Sequence, residues 1–353
     1  MTVAFIADVD GLKLTLGEKH LFAQTDPWAF ILFGRNCETP EQISALCKDL
    51  RAAVGRNCLI FIDQEGGRVQ RLGPPIWPHL PPLALYGALW SDSHEQAIEA
   101  CQLHHQLAGY MLRAVGLSAN CVPCLDLRVA GAHHAIGDRA FSSEPACVAS
   151  LGQAALDGLQ CAGVVGVIKH LPGQGRAHLD SHEALPKITA SKKALRADIA
   201  PFMALKEAPI GMVGHMAFKA LDPDQPASLS AAVIKHWIRG EIGFSGLLIT
   251  DDLSMGALDG PDDSRIRRAF DAGCDVTMLC HRPLAAREAI LKEAKALEGE
   301  ALKRALRAQS HATEPSIAFD CTQVLARHAA LTGYLWPPRS KMGCADPTTK
   351  AWA

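Results

Sequence analysis

Val3-Ala4-Phe5-Ile6-Ala7-Asp8-Val9-Asp10-Gly11 opens the chain with an apolar run that breaks into two aspartates and a single glycine. Such a run reads as a buried parallel strand, since a strand covered on both faces needs apolar residues at nearly every position. The residues at its carboxyl end decide the architecture. A doubly wound open sheet places a glycine-rich phosphate loop after its first strand, and Asp8-Val9-Asp10-Gly11 is not one. The stretch also lacks a basic n-region and a true h-region, so it reads as the first strand of a fold and not as a signal peptide.

The same unit recurs along the 353 residues: a short apolar run, then polar residues and glycine, then a helical stretch. Strands are expected at 3–9, 29–33, 58–63, 118–126, 164–170, 211–215, 247–251 and 275–279. Thr39-Pro40-Glu41-Gln42 supplies an N-cap, a proline at the first helical position and a capping-box glutamine. Ile43, Leu46, Leu50 and Val54 follow at helical spacing, and Gly55 stops the helix. Segments 93–115, 144–162, 191–205, 230–242, 284–297 and a last one near 300–331 read as helices in the same way. Eight strands alternating with helices predict a single (β/α)8 barrel over residues 1–335, with irregularity in its early strands, and a loosely held tail over 336–353.

Composition narrows the class. The chain is 48% hydrophobic and 20% charged, with a formal net charge of -2. That balance suits a sizeable core and gives no electrostatic reason to expect nucleic acid or an anionic membrane. No apolar run approaches the roughly 20 residues a membrane span requires. Cys121 and Cys124 form a C-x-x-C, but no second such pair completes a zinc site, and their apolar setting marks them as core residues. Twelve cysteines used in this way fit a reducing compartment, hence the cytoplasm. No cofactor or metal is expected.

A barrel puts its chemistry at the carboxyl ends of its strands. The third strand runs into Asp63-Gln64-Glu65-Gly66-Gly67-Arg68-Val69-Gln70-Arg71, where carboxylates and guanidinium groups suit a polyol; a salt-bridged loop is the plain alternative. Asp126 ends the fourth strand, and Gly137-Asp138-Arg139 follows in a long loop. The fifth strand delivers Lys169-His170-Leu171-Pro172-Gly173-Gln174-Gly175-Arg176-Ala177-His178-Leu179-Asp180-Ser181-His182. Its proline and glycines forbid a helix and make it a long loop over the barrel mouth. Asp180 can orient the His182 imidazole for acid–base work, while His178, Asp180 and His182 could equally alternate as metal ligands, or the segment could be only a loop. The seventh strand ends in Asp251-Asp252, adjacent carboxylates costly to bury unless used or paired, and the spacing does not say which faces the axis. His215 ends the sixth strand and either borders the pocket or packs as a hydrogen-bonded core residue.

Taken together, these segments resemble glycoside hydrolase family 3, and within it the single-domain NagZ-type β-N-acetylglucosaminidases, over about residues 3–330. The resemblance is carried by Ile31-Leu32-Phe33-Gly34-Arg35-Asn36, the Asp63–Arg71 segment, Gly137-Asp138-Arg139, Lys169 to Gly175 with Asp180-Ser181-His182, and Thr250-Asp251-Asp252-Leu253-Ser254-Met255, in that order. It implies that Asp251 is a nucleophile, that His182 paired with Asp180 is the acid/base, and that Asp63, Arg71, Arg139, Lys169 and His170 hold a terminal GlcNAc. Gln174 stands where a histidine is common, and Asp10 where the first strand often ends in Glu. The implied substrate is a small glycan or muropeptide, GlcNAc-anhydro-N-acetylmuramic acid with or without peptide, met in cell-wall recycling by a protein expected to be monomeric. A phosphorylase acting through the same intermediate and a catalytically silent muropeptide sensor are the competing readings.

Overall fold

The computed structural model describes residues 1–315 and 319–336, and the side chains of all of these except 292 and 293. Eight parallel strands carry the fold: β1 (Val3–Ala7), β2 (Pro27–Leu32), β3 (Leu59–Ile62), β4 (Ala119–Asn120), β5 (Val165–Leu171), β6 (Ile210–Val213), β7 (Leu247–Thr250) and β8 (Thr277–Met278). They hydrogen-bond in the order β7-β6-β5-β4-β3-β2-β1-β8. A parallel bridge from Ile249 to Val276 joins the two ends, so the sheet comes round on itself as a barrel.

The apolar strand pattern has a direct structural consequence. Alternate residues of every strand, among them Ile6, Ile31, Phe61, Ala119, Val167, Met212, Ile249 and Met278, pack together as the barrel interior. Their neighbours Phe5, Phe30 and Ile60 face outward into one helical layer, and Ile168, Val213 and Leu248 into another. Both faces of each strand are therefore covered, which is why the runs are not alternately polar.

The helices begin and end where their caps stand. Helix α1 (Leu16–Thr25) is closed by a reciprocal Thr15–Glu18 capping box. In α2 (Pro40–Val54), Thr39 accepts from the Gln42 N–H and Gly55 ends the helix in the left-handed region. Gln42 does not complete the expected box: its side chain accepts from Glu38 N–H and donates to the Leu12 carbonyl. Short α3 (Ala84–Trp90) precedes α4 (His94–Ala114), capped by Ser93. Helices α5 (Pro145–Cys161) and α6 (Lys192–Ala204) follow as expected. Next come a π-helical segment over Val233–Glu241, then α7 (Asp262–Ala272), α8 (Leu284–Glu293), α9 (Gly299–Ser310) and α10 (Cys321–Thr332).

Four expectations need correction. The fourth strand is short, Ala119–Asn120 with a bridge from Cys124 to Lys169, because a proline at 123 removes a ladder donor. The expected helix over 284–297 stops at Glu293, after which Ala296 bridges antiparallel to Val3. The last helical segment is two helices. Finally, α1, α3 and α7 stand outside the expected helices; α7 is largely charged and starts on two acids that suit a helix amino terminus. The tail expected over 336–353 lies, from residue 337 on, outside the described residues. Trp336 stacks edge-on against His328 with ring centroids 5.1 Å apart.

Candidate active site

The carboxyl ends of the strands surround a cavity of about 700 Å³. Ile31, Cys121, Met212 and Met278, the top of the interior packing, form its floor. Asp63, Arg71, Arg139, Lys169, His170, Asp180, His182 and Asp251 all line it. Residues separated by up to 188 positions in sequence (251 − 63) are thus brought to one hollow.

One wall is a charge cluster. Lys169 Nζ lies 3.0 Å from Asp63 Oδ1 and 2.6 Å from Glu65 Oε1. Arg71 Nη2 lies 3.1 Å from Asp63 Oδ2. Arg139 grips Glu65 with two parallel bonds of 2.8 Å, the planar fork geometry that lysine cannot supply. Burial would push the Glu65 carboxyl up, but Arg139 and Lys169 hold it far below the ordinary value. Burial would likewise lower the Lys169 ammonium, and Asp63 and Glu65 keep it charged. The salt-bridged loop weighed from sequence as the plain alternative is therefore present, and Asp63, Arg71, Arg139 and Lys169 of this network line the cavity.

The turn that aims this cluster is fixed by its own sequence. Gly66 and Gly67 have φ of 102° and 57°, the region where a side chain is strained. A Cβ on Gly66 would also sit 2.3 Å from the Pro81 carbonyl oxygen. Gln64 Oε1 accepts from the Arg71 and Leu72 N–H groups, and Asn120 pins Gln64 through its side-chain amide.

The two adjacent aspartates separate by what they touch. The Asp252 carboxylate accepts from Ser254 N–H and Oγ–H and from Cys280 N–H. Asp251 accepts only the N–H of Asp252 among the described residues, and forms no ion pair there. Burial would raise the Asp251 carboxyl, yet the His170 and His215 imidazoles and the Asp252 N–H outweigh it and keep it below the usual value. His215 is a packed core histidine: Nδ1 meets Ser228 Oγ at 2.7 Å and Nε2 meets the Asp252 carbonyl at 3.0 Å. Since a carbonyl only accepts, Nε2 carries the proton.

At the rim of the cavity stands the loop after β5. His182 Nδ1 and its backbone N–H both reach Asp180 Oδ1, at 2.8 and 2.9 Å. The His182 side chain is 72% exposed, so one nitrogen is held and the ring remains open to solvent and ligand. His178 does not join them; its Nδ1 lies 3.2 Å from the Gly131 carbonyl. The alternating metal set is therefore not assembled. Among the described residues the trio with metal-ligand proximity is Cys124, Asp126 and His170 instead. There His170 Nδ1 and Asp126 Oδ2 already bond each other at 2.6 Å and Cys124 Sγ donates to the same oxygen, so the cluster satisfies itself.

The profile of the glycosyl hydrolase family 3 N-terminal domain matches residues 14–310. The chain belongs to this family. The hydrolase is 36% identical over 293 residues to a β-hexosaminidase of Thiobacillus denitrificans, covering 81% of this chain and 80% of that one. It is 34% identical over 315 residues to a β-hexosaminidase of Aromatoleum aromaticum, covering 87% and 88%. Among solved structures, NagZ from Neisseria gonorrhoeae superposes with a TM-score of 0.82 at 31% identity, covering 94% of this chain and 97% of that one. The same Neisseria protein has been solved with N-trifluoroacetyl-D-glucosamine.

Sequence reasoning missed several groups in the hydrolase. Glu65, which binds Lys169 and Arg139, was visible only as one acid among many. Asp126 was noted at a strand end, but not as the partner of His170. A rim of Phe33, Arg35 and His281 was not foreseen: Arg35 Nη1 lies 2.8 Å from His281 Nδ1, and Asp8 accepts from both Arg35 and the His281 N–H. The φ of 61° at His281 is the local signal, and it exists only in the folded chain. Among the described residues no helix is long and apolar enough to cross a membrane.

Proposed function

We propose that this hydrolase is a retaining exo-β-N-acetylglucosaminidase working by double displacement. The observation that carries the reading is the contrast within one dipeptide: Asp252 is spent on three donors, while Asp251 faces the cavity with no ion pair among the described residues. An ionised, uncommitted carboxylate at a strand end is what an attack on an anomeric carbon needs.

In this mechanism Asp251 attacks that carbon while His182 protonates the departing oxygen, leaving a covalent glycosyl-enzyme. His182, now neutral, takes a proton from water, which attacks from the opposite side and releases the sugar with its β configuration retained. Asp180 holds Nδ1 of the imidazole, so the other nitrogen presents the mobile proton. Asp63, Arg71, Arg139, Lys169 and His170 hold the hydroxyls of the terminal sugar. The N-acylated glucosamine bound by the Neisseria relative supports GlcNAc as that sugar. The substrate we favour is a peptidoglycan fragment, GlcNAc-anhydro-N-acetylmuramic acid with or without peptide, recycled in the cytoplasm by a monomeric enzyme. That part rests on the family resemblance.

The test is a fluorinated amino-sugar trap followed by peptide mass spectrometry. A stable adduct on Asp251 is expected, with free GlcNAc as the product from the natural substrate in phosphate buffer. An adduct on any other residue, or release of GlcNAc-1-phosphate, overturns the reading.

A further inference from the structure

Two backbone hydrogen bonds cross from the segment after β7 to the loop after β5. Gly256 N–H donates to the His182 carbonyl, and Ala257 N–H to the Ser181 carbonyl, each at 3.1 Å. Neither belongs to the barrel ladder. At this seam Gly256 has no room for a side chain: a Cβ there would lie 2.7 Å from the carbonyl oxygens of both His182 and Glu183. Both obstacles are backbone atoms, so no rotamer change relieves the contact. The loop's side-chain anchors to the rest of the molecule, Arg176 Nε to Asp198 Oδ2 at 2.6 Å and His178 Nδ1 to the Gly131 carbonyl at 3.2 Å, both lie before Asp180, and the bond from Gln174 Nε2 to Ser181 Oγ at 3.2 Å stays within the loop.

We propose that Gly256 is a positioning residue that seats His182 against the segment carrying Asp251, five residues earlier in the chain. The proposal rests on the assignment of His182 as acid/base. The backbone of His182 is one face of the seam, and its imidazole is held otherwise only by Asp180, two residues away on the same loop. The distance between proton donor and nucleophile is therefore set by this seam and not by the barrel. A methyl group at 256 pushes the His182 carbonyl outward and moves the imidazole with it. The sugar clamp on β3 and β5 stays where it is.

The experiment compares G256A with the parent and with H182A on two substrates, an alkyl β-GlcNAc and 2,4-dinitrophenyl β-GlcNAc. The quantity read is kcat/KM, which reports formation of the glycosyl-enzyme. Only the alkyl leaving group needs a proton. For G256A the alkyl substrate is expected to lose on the order of 10–100-fold, as for a misplacement of up to about 1 Å, and the dinitrophenyl substrate less than about threefold. In the parent, hydrogen exchange of the 256–257 amides is expected to be slow. Equal losses on both substrates, no loss on either, or unprotected 256–257 amides overturn the seam. H182A separates the two layers. If H182A spares the dinitrophenyl substrate and G256A does not, the seam alone is wrong. If H182A loses both equally, the acid/base assignment fails and the seam falls with it.

Discussion

The Nδ1 atom of His170 lies 2.6 Å from Oδ2 of Asp126, so the cavity holds a second aspartate–imidazole pair, buried where Asp180–His182 is open. Asp126 also accepts from the backbone N–H of His170 and of Gln174 and from the Cys124 thiol. Four donors converge on one carboxylate.

An amide cannot replace it. In D126N either orientation of the side chain points an NH₂ group at a donor, because an amide has only one accepting atom. We expect kcat/KM on a GlcNAc substrate to fall on the order of 10²-fold as His170 loses its orientation. Steady-state kinetics of D126N check this, and a parent-like value would mean that His170 needs no orienting partner.

Glu65 is predicted to matter as much for folding as for binding. E65Q leaves Arg139 without its bidentate partner and Lys169 with Asp63 alone, in a place where both are shielded from water. Breaking a buried pair by removing one partner costs about 3–5 kcal/mol. Urea unfolding of E65Q should show a loss of that size, and a change within error would place the cluster in effectively aqueous surroundings.

Stability should decline on the acid side well before the carboxylates titrate. Burial holds the His105 imidazole down at about 4, with Nε2 buried and unpartnered. The unfolded chain takes up that proton near 6.5, so between about pH 6.5 and 4 the unfolded state binds more protons and stability falls as pH falls. The full effect below pH 4 is on the order of 3 kcal/mol. His328, also lowered to about 4 by burial, adds with the same sign. Depressed carboxyls such as Asp63, Glu65 and Asp251 extend the decline below the usual carboxylate range. Unfolding free energies at pH 7 and pH 5 should converge in H105Q relative to the parent; an unchanged gap rejects the assignment to His105.

Chelation is expected to leave turnover unchanged. His178 is turned to Gly131, and Asp126 already accepts from His170 Nδ1, the Cys124 thiol and two backbone N–H groups. Exhaustive treatment with EDTA, followed by assay and metal analysis, should leave kcat within about twofold of its starting value, since no single proton-transfer group is lost. Loss of activity restored by a divalent cation would reverse this.

The sequence determined the barrel and most of the rim. Strands apolar on both faces can be buried only between an interior and a helical layer, and this is legible at Val3-Ala4-Phe5-Ile6-Ala7 because periodicity is a local property. The ends of those strands then put Asp63, Lys169, His170 and the Asp251–Asp252 pair at the cavity. The rest was settled by contacts between distant segments. Which of Asp251 and Asp252 is open depends on Ser254 and on Cys280, the latter 28 residues on from Asp252. That Asp126 serves His170, 44 residues away, and that Glu65 serves Arg139, 74 residues away, depends on the register of closed strands. Local pattern fixes which face of the chain is buried; only closure of the barrel fixes which charges meet across it.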